Sequence, residues 1–470
     1  MTIAEAIKKI KKSELTSESL VHDCLNRINI RDKNIHAFLE VFEEEAILEA
    51  KKEDERIKNG GEIKPLSGIP IAVKDVLLIA GKEATAGSKI LKGYRATYES
   101  TAVKKLKEAG AIIIGRTNMD EFAMGSSTEN SAYGPTKNPL DETRVPGGSS
   151  GGSSASVAMG ACLGALGSDT GGSIRQPASF CGLVGLKPTY GRVSRSGLIA
   201  MASSLDQIGP ITKTVEDAEI IYKVIAGRDP MDSTSKDMPM DYEKKSKIKI
   251  GVLKYDKTGV SQEVNEAFED SVKIFISAGI ELEEISLPSL EYALACYYII
   301  MPAEASTNLA RFDGVKYGFS SGADNLLDNY FSSRGEGFGK EARRRIILGT
   351  FVLSSGYYDA YYGKATKVRE AIIKDFEEAF QKYDAILTPT SPTVAFKLGE
   401  KSNNPLEMYL SDIFTVSVNI AKLPAISIPT RLKGENHLPI GLQIIAPWFR
   451  EDILFDLGKK YELFCQSTVS

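Results

Sequence analysis

Glycine and serine dominate residues 146–173, which read PGGSSGGSSASVAMGACLGALGSDTGGS. Ser149 and its neighbour lie between two glycine pairs, and Ser173 follows a third pair. Each glycine can adopt positive φ and lets a substrate approach the backbone, so consecutive glycines can leave N–H groups free to stabilise an oxyanion. A flexible linker has a similar composition, but this run continues into the small apolar residues 155–166. We therefore expect a buried loop that presents a reactive serine.

The composition is that of a globular protein, with 470 residues, 42% hydrophobic residues and a formal net charge of −4. The length allows two or three domains, although large α/β enzymes of this size often build one sheet. Lysine and arginine are spread along the chain, which gives no broad basic surface for gripping nucleic acid. If RNA is involved, we expect a partner to hold it.

The chain shows no signature of secretion or membrane insertion. Its five cysteines form no CxxC pair and occur at positions 24, 162, 181, 296 and 465. An odd count without a secretory context indicates free thiols in a reducing compartment. The first residues predict an amphipathic helix without a signal-peptide core, and we find no apolar stretch of about 18 residues. We expect a soluble cytoplasmic protein that does not contact a membrane.

Hydrophobic periodicity predicts helices in the first sixty residues and the strands of a sheet from residue 68 onwards. Residues 20–28 repeat at helical spacing behind Thr16, a suitable N-cap, and a second helix is predicted over 43–59. From residue 68 short apolar runs replace this pattern, at 69–73 and 111–114, with a predicted helix over 100–108 between them. Continuous apolar runs that alternate with helices are typical of buried strands in a largely parallel sheet.

The rest of the chain continues the same alternation. Further predicted strands are 248–253, 280–286, 384–388, 425–428 and 440–445, and further predicted helices are 215–226, 262–278 and 371–381. Residues 228–247 are the best candidate for a surface loop or linker, and 321–340 are a second irregular stretch. We therefore expect an α/β fold in one large domain over 1–470, with a central mixed, mostly parallel sheet covered by helices on both faces.

A serine nucleophile needs a base, which is usually histidine. The chain has three histidines, at positions 22, 36 and 437, in polar or helical surroundings that do not suggest catalysis, yet a spatial triad stays open. Lys74 ends the apolar run GIPIAV and is the other candidate. Neutrality at about pH 7 requires lowering its pKa from ~10.4 by about 3.4, roughly 4.6 kcal/mol, which burial can supply. The alternative is a surface ion pair between Lys74 and Asp75.

The spacing of these residues resembles that of the amidase signature family. Ser149 follows Lys74 by 149 − 74 = 75 residues and precedes Ser173 by 173 − 149 = 24, within GGSSGGS and GSDTGGSIRQP. The resemblance covers nearly the whole chain. It implies a Ser–cis-Ser–Lys triad with Ser173 as nucleophile, Ser149 as relay and Lys74 as base, and a cis peptide bond between Gly148 and Ser149.

The family also implies the surroundings of the nucleophile. The backbone N–H groups of Thr170, Gly171, Gly172 and Ser173 would form the oxyanion hole. Asp169 and Arg175 would hold this loop by an ion pair. Along the chain the hydrophobic pattern predicts a helical segment over 1–62. The resemblance implies the signature core over 63–212 and the remaining sheet with the substrate-recognition segments over 248–470.

Four long segments carry a closer resemblance within the family, to the A subunits of glutamyl-tRNA(Gln) amidotransferases. They are residues 115–139, 187–210, 304–318 and 343–362. This branch implies glutamine as substrate, with Arg345 on its α-carboxylate, Asp412 on its α-ammonium, and Tyr297 or its neighbour Tyr298 along its side chain. One departure is GSSASV after the glycines, where the family more often has alanine.

Ammonia released from glutamine would serve a second site that activates tRNA-bound glutamate with ATP. This chain has no G-x-x-x-x-G-K-[ST] motif, so we expect no cofactor and no metal here. ATP, Mg2+ and tRNA would belong to a partner B subunit, braced by a small C subunit. Two alternatives stay open: a stand-alone amidase for small amides, and a non-catalytic scaffold whose loop cradles an anion.

Overall fold

The computed structural model describes residues 1–240, 242, 243, 245 and 247–467. Asp241, Lys244 and Ser246, within the predicted loop 228–247, lie outside the described residues. One sheet organises the described chain, and its strand order is β1-β3-β2-β4-β6-β5-β10-β11-β9-β7-β8. The strands are β1 (Phe38–Val41), β2 (Pro70–Lys74), β3 (Ile112–Thr117), β4 (Gly164–Asp169), β5 (Val184–Lys187), β6 (Gln207–Thr212), β7 (Lys249–Leu253), β8 (Glu281–Ile285), β9 (Ala385–Pro389), β10 (Ala425–Pro429) and β11 (Gly441–Ile445).

Helices flank this sheet and confirm the α/β class. They are α1 (Ile3–Lys11), α2 (Ser17–Ile35), α3 (Glu43–Lys58), α4 (Thr101–Glu108), α5 (Gly151–Ala158), α6 (Arg175–Phe180), α7 (Val215–Ile225), α8 (Gln262–Ser277), α9 (Ala293–Leu309), α10 (Leu326–Gly337), α11 (Lys340–Leu353), α12 (Lys364–Phe380), α13 (Pro405–Leu410), α14 (Val416–Ile420) and α15 (Glu451–Ser467). Within the described residues, no helix is both long and apolar enough to cross a membrane.

The sheet is mixed, but the expectation that it is mostly parallel is wrong. Four strand pairings are parallel and six are antiparallel in the described chain. Parallel strands lie around β2 and β7, whereas the middle of the sheet is antiparallel. A strand covered on both faces has a continuous apolar run in either direction, so the hydrophobic pattern does not report direction.

Residues 321–340 are also more regular than the sequence predicts, because most of them form α10. Asn325 caps this helix by accepting a hydrogen bond from the N–H of Asp328 at 2.9 Å. Leu326, Leu327 and Phe331 of the helix are exposed. A helix with apolar residues on its solvent side lacks the amphipathic pattern used to predict helices from sequence.

The parallel pairing of β2 with β4 brings two predicted site segments to one edge of the sheet. Val73 pairs with Leu166, so Lys74 at the end of β2 lies beside the last residues of β4. The loop 170–174 follows β4 directly, and α5 begins at Gly151 just after the two serines. The sheet therefore collects the predicted base and both predicted serines at the same place.

Close packing of α9 and α11 depends on a glycine. A Cβ atom added at Gly349 of α11 would lie 1.9 Å from the carbonyl oxygen of Pro302 in α9. This oxygen belongs to the backbone and cannot move without shifting the helix. The two helices carry the predicted substrate-binding residues Tyr297 and Arg345, so Gly349 sets how closely these residues approach.

Replacing Gly349 by alanine is expected to destabilise the protein. The added methyl group must push α11 away from α9, which costs about 1–3 kcal/mol in a packed interior. The matched control is Gly335→Ala in α10, where an added Cβ meets nothing within 4 Å. That change should be neutral or stabilising by up to ~1 kcal/mol. Denaturant unfolding of both variants measures the difference, and equal stabilities would contradict the packing constraint.

Candidate active site

Lys74 is buried and surrounded by neutral oxygen atoms. Its Nζ donates to the hydroxyl oxygens of Ser149 at 2.7 Å, Ser150 at 2.9 Å and Ser168 at 3.0 Å. The carbonyl oxygen of Ser168 accepts at 3.3 Å. The side chain is fully shielded from solvent. Among the described residues no carboxylate lies within ion-pair distance of this amine, so nothing next to it compensates a positive charge.

Burial lowers the pKa of Lys74 to about 7, against the smaller opposing influence of Asp120, Asp169 and Asp206. The surface ion pair with Asp75 does not occur. Asp75 is itself buried and accepts a hydrogen bond from Arg116 at 2.7 Å. The lysine side chain therefore has an appreciable neutral fraction at physiological pH, which a general base requires.

The two predicted serines lie on adjoining segments. The peptide bond between Gly148 and Ser149 is cis, as the family resemblance implies. The Ser173 carbonyl accepts a hydrogen bond from the N–H of Ser150 at 3.2 Å, which ties the segment of the predicted nucleophile to that of the predicted relay serine. In the described chain no hydrogen bond joins the Ser149 and Ser173 hydroxyls. The Ser173 side chain is shielded but not closed off, with 7% exposure.

Asp169 and Arg175 form a buried pair that shapes the loop between them. The guanidinium donates to the two carboxylate oxygens at 3.0 and 2.9 Å, and both residues are fully buried. Burial would raise the pKa of Asp169, but the charge and hydrogen bonds of Arg175 hold it well below its usual value. Gln443 and Asn419 accept further hydrogen bonds from Arg175 at 2.6 and 2.5 Å. The pair therefore lies in a polar network with its charges satisfied.

This network uses one of the four N–H groups predicted for the oxyanion hole. The N–H of Gly172 donates to Asp169 at 2.9 Å, and that of Ile174 donates to the same carboxylate at 3.1 Å. The N–H groups of Thr170, Gly171 and Ser173 have no hydrogen bond to another part of the described chain. The structure thus leaves three of the four predicted donors unpaired, and Gly172 holds the loop instead.

Glycine is required at two positions of this loop. A Cβ at Gly171 would lie 2.6 Å from the ring of Tyr297, so this ring packs directly on the loop. Gly172 has φ +136°, which favours glycine, and a Cβ there would lie 2.3 Å from the Thr415 hydroxyl. That hydroxyl donates to the carbonyl of Gly171 at 2.6 Å. The loop is therefore held from its outer side by α9 and by the segment before α14.

Asp412, predicted to bind an ammonium group, is buried near the same loop. Its Oδ2 accepts hydrogen bonds from Ser126 at 2.8 Å and from Tyr298 at 3.2 Å. Burial raises the pKa of Asp412 to about 7, while Ser126 and Arg345 oppose the rise. Burial also raises the pKa of Tyr297, and the charges of both Arg345 and Asp412 act on it. All predicted substrate-binding residues therefore meet in one region.

Arg345, predicted to bind a carboxylate, is held by an acid and two aromatic rings. Its Nε donates to Glu341 Oε1 at 2.6 Å, one turn earlier in α11. Its guanidinium carbon lies 5.1 Å from the ring centroid of Tyr298 and 5.0 Å from that of Tyr409. The Tyr409 hydroxyl donates to the same Glu341 oxygen at 3.0 Å. The side chain is thus fixed in orientation before any ligand arrives.

Sequence reasoning did not single out several residues that contact the site. They are Ser126, Ser150, Ser168, Glu341, Tyr409 and Thr415. Ser150 and Ser168 belong to the glycine- and serine-rich run 146–173. The composition of this run indicated a serine site, but it did not show which of its serines contact Lys74. The other four come from separate segments, and only the fold brings them to the loop.

The histidine triad left open by the sequence does not form in the described chain. His22 lies 3.7 Å from Glu18, His36 Nδ1 contacts the Pro135 carbonyl at 3.3 Å, and His437 is an exposed residue of a short turn. None contacts Ser149 or Ser173. The described residues also contain no group of three or more acidic, cysteine or histidine side chains arranged to hold a metal ion.

Comparisons with known proteins agree with this geometry. The amidase family model matches residues 19–455. Two relatives, each named as the A subunit of glutamyl-tRNA(Gln) amidotransferase, come from Desulfatibacillum aliphaticivorans and Carboxydothermus hydrogenoformans. Each is 52% identical to this chain, over 98% of this chain and 96% of the relative. A crystal structure of the corresponding A subunit from Thermotoga maritima is 45% identical over 97% of this chain and 92% of its own, with a TM-score of 0.79. The chain therefore belongs to the amidase signature family.

Proposed function

We propose that this chain is the glutaminase component, the A subunit, of a glutamyl-tRNA(Gln) amidotransferase. The observation that carries the proposal is the buried amine of Lys74, 2.7 Å from the Ser149 hydroxyl. It lies in a chain that is 52% identical, over 98% of its length, to a protein of that name. The cluster of Arg345, Asp412 and Tyr297 beside the loop 170–174 supports glutamine as the substrate.

The triad would act by passing a proton along the two serines. Neutral Lys74 accepts the proton of Ser149, and Ser149 accepts that of Ser173 as the Ser173 Oγ attacks the side-chain amide carbon of glutamine. The oxyanion then accepts hydrogen bonds from the free N–H groups of Thr170, Gly171 and Ser173. The proton returns to the amide nitrogen, the C–N bond breaks and ammonia leaves. Water attacks the resulting γ-glutamyl ester by the same relay and releases glutamate.

Glutamine would be recognised through its two charged groups. The α-carboxylate pairs with Arg345, whose Nε donates to Glu341 and whose Nη1 makes a weak contact with the Met301 sulfur at 3.5 Å. The remaining N–H groups of the guanidinium would bind the ligand. The α-ammonium pairs with Asp412, and Tyr297 packs along the substrate's side chain where it covers Gly171. A simple amide without these charges lacks both anchors, which favours a glutaminase over the stand-alone amidase.

The ammonia would be used in a partner subunit. Transfer to tRNA-bound glutamate requires activation of its carboxylate, and we assign the ATP, Mg2+ and tRNA sites to a B subunit, with a C subunit bracing the pair. The similar proteins are named as one subunit of an amidotransferase, and this chain spans 96% of the length of those relatives. We accordingly place the working enzyme in the cytoplasm, where aminoacyl-tRNA is made and used.

The proposal is tested by measuring ammonia release from glutamine and from simple amides such as butyramide, with and without B and C subunits, ATP and Glu-tRNA(Gln). We expect a clear preference for glutamine, and turnover that rises when partners and tRNA are added. Partner-independent turnover of simple amides at the same rate would instead establish a stand-alone amidase. Absence of hydrolysis under every condition would support the anion-binding scaffold.

Replacing Ser173 by alanine is expected to abolish glutamine hydrolysis, by about a thousandfold or more, because no other group can form the ester. The matched control is Ser154→Ala in α5, since the buried Ser154 hydroxyl has no hydrogen-bond partner in the structure. Its activity should stay within about twofold of the wild type. Mass spectrometry of the glutamine-treated wild type should detect the ester. Retained turnover in Ser173→Ala would exclude this nucleophile.

The rate of glutamine hydrolysis should depend on the protonation of Lys74. Its pKa is lowered to about 7, so the neutral base is present above that pH and lost below it. We expect kcat to fall about tenfold per pH unit on acidification below this value and to level off above it. Stopped assays at saturating glutamine between about pH 6 and 8 measure the profile. A kcat that is flat, or that rises with acidity, would rule out lysine as the base.

A further inference from the structure

Glu121 is a buried carboxylate that the proposed chemistry does not use. It is 2% exposed and lies in a short turn, Glu121–Ala123, of the signature core. The hydroxyl of Ser88 donates to its Oε1. Burial raises the pKa of Glu121 to about 7, while Ser88, Gly339 and Arg343 oppose the rise. Burying a carboxyl group costs free energy unless hydrogen bonds compensate it, so the groups that contact Glu121 indicate what it does.

The main partner of Glu121 is the beginning of α11. The N–H of Gly339, the N-cap residue of this helix, donates to both carboxylate oxygens, at 3.0 and 2.9 Å. Gly339 has no side chain with which to cap the helix, and Glu121 instead accepts from the N-cap residue's own N–H, as the acid of a capping box does. A carboxylate at this end also interacts favourably with the helix dipole.

The contact is tight and is reinforced by its neighbours. A Cβ added at Gly339 would lie 2.4 Å from Glu121 Oε2. The Ser88 hydroxyl also lies 3.2 Å from the carbonyl oxygen of Gly337. Phe122 packs on Phe338, with 5.7 Å between ring centroids. Polar and apolar contacts together join the turn Glu121–Ala123 to residues 337–339, immediately before α11.

We propose that Glu121 is a positioning residue for glutamine: by anchoring the N-terminus of α11 to the signature core, it sets the place of Arg345 relative to Ser173. This inference rests on the proposed function. Arg345 lies six residues after Gly339 on the same helix, and Glu341, which orients its guanidinium, lies in the first turn. A displaced α11 would carry both residues away from the substrate carboxylate.

The residue before Glu121 holds the other side of the site. Asp120 accepts hydrogen bonds from the N–H groups of Thr128 at 2.8 Å and Asn130 at 3.1 Å. A Cβ added at Gly148 would lie 2.1 Å from Asp120 Oδ2. Two consecutive acids therefore buttress the relay serine's peptide and the carboxylate-binding helix. The distance between nucleophile and Arg345 must match one glutamine molecule, and errors near 1 Å can cost about a hundredfold in rate.

The test compares Glu121→Ala and Glu121→Gln with the wild type in the assembled enzyme, using glutamine kinetics. In Glu121→Ala the KM should rise about tenfold while kcat stays within about threefold, since the triad is intact. Glu121→Gln keeps an oxygen acceptor for Gly339 and should recover most of the affinity. The control Glu336→Gln removes an exposed carboxylate from the rim of the cavity that Glu121 lines, and it should leave KM unchanged.

A second measurement separates positioning from folding. Phenylmethylsulfonyl fluoride has no carboxylate, so its rate of reaction with Ser173 should be equal in the wild type and in Glu121→Ala. Should Glu121→Ala fail to fold, Gly339→Ala crowds the same contact and should also raise KM. The inference is overturned if KM is unchanged in Glu121→Ala and Gly339→Ala. This holds also where kcat and the rate of reaction with the sulfonyl fluoride fall, because the change would then act on the triad and not on glutamine binding. Failure of the wild type to hydrolyse glutamine would instead overturn the proposed function.

Discussion

The site depends on one buried amine that has no counter-charge. Lys74 is fully shielded and its four hydrogen-bond acceptors are neutral oxygen atoms. In such surroundings desolvation disfavours the ammonium form, while the hydroxyls keep every proton of the neutral amine near an acceptor. The position follows from the sheet, because the parallel register of β2 and β4 places the end of one strand beside Ser168 of the other. The fold itself therefore places and desolvates the proposed base.

The nearby carboxylates are arranged so that none of them forms an ion pair with Lys74 in the described chain. Asp169 is neutralised by Arg175 at 2.9 Å, and Asp75 by Arg116 at 2.7 Å. Within the part of the chain that the structure describes, Asp120 and Asp206 form no ion pair, and burial raises the pKa of each to about 6, with hydrogen bonds opposing the rise. They accept hydrogen bonds from backbone N–H groups and from Thr170 instead. The described acids thus shape the loops around the proposed triad without forming an ion pair with Lys74.

The sequence predicted what is encoded locally. The Gly/Ser run and the apolar strand before Lys74 indicated a serine site with a lysine base. The predicted strands correspond to strands of the sheet, and the predicted helices correspond to helices that flank it. Strand direction was misjudged because apolar runs do not report it. The short edge strand β1 was not predicted, nor were β5, which a glycine interrupts, and β6, which a glycine and a proline interrupt. Glu341 and Thr415 carried no local signal. Their contacts with Arg345 and Gly171 join segments that only the tertiary structure brings together.

The residues proposed for substrate recognition come from the second half of the chain and pack onto the proposed catalytic loop, which comes from the first half. Tyr297 and Thr415 press on Gly171 and Gly172 so closely that a methyl group at either glycine would collide with them. The glycines therefore serve the packing of the recognition segments as well as the exposure of N–H groups. Because the same contacts fix the loop and the proposed pocket, a shift in α9 or in the segment around Asp412 must also disturb the predicted oxyanion donors. The proposed binding and the proposed chemistry therefore share one set of backbone constraints.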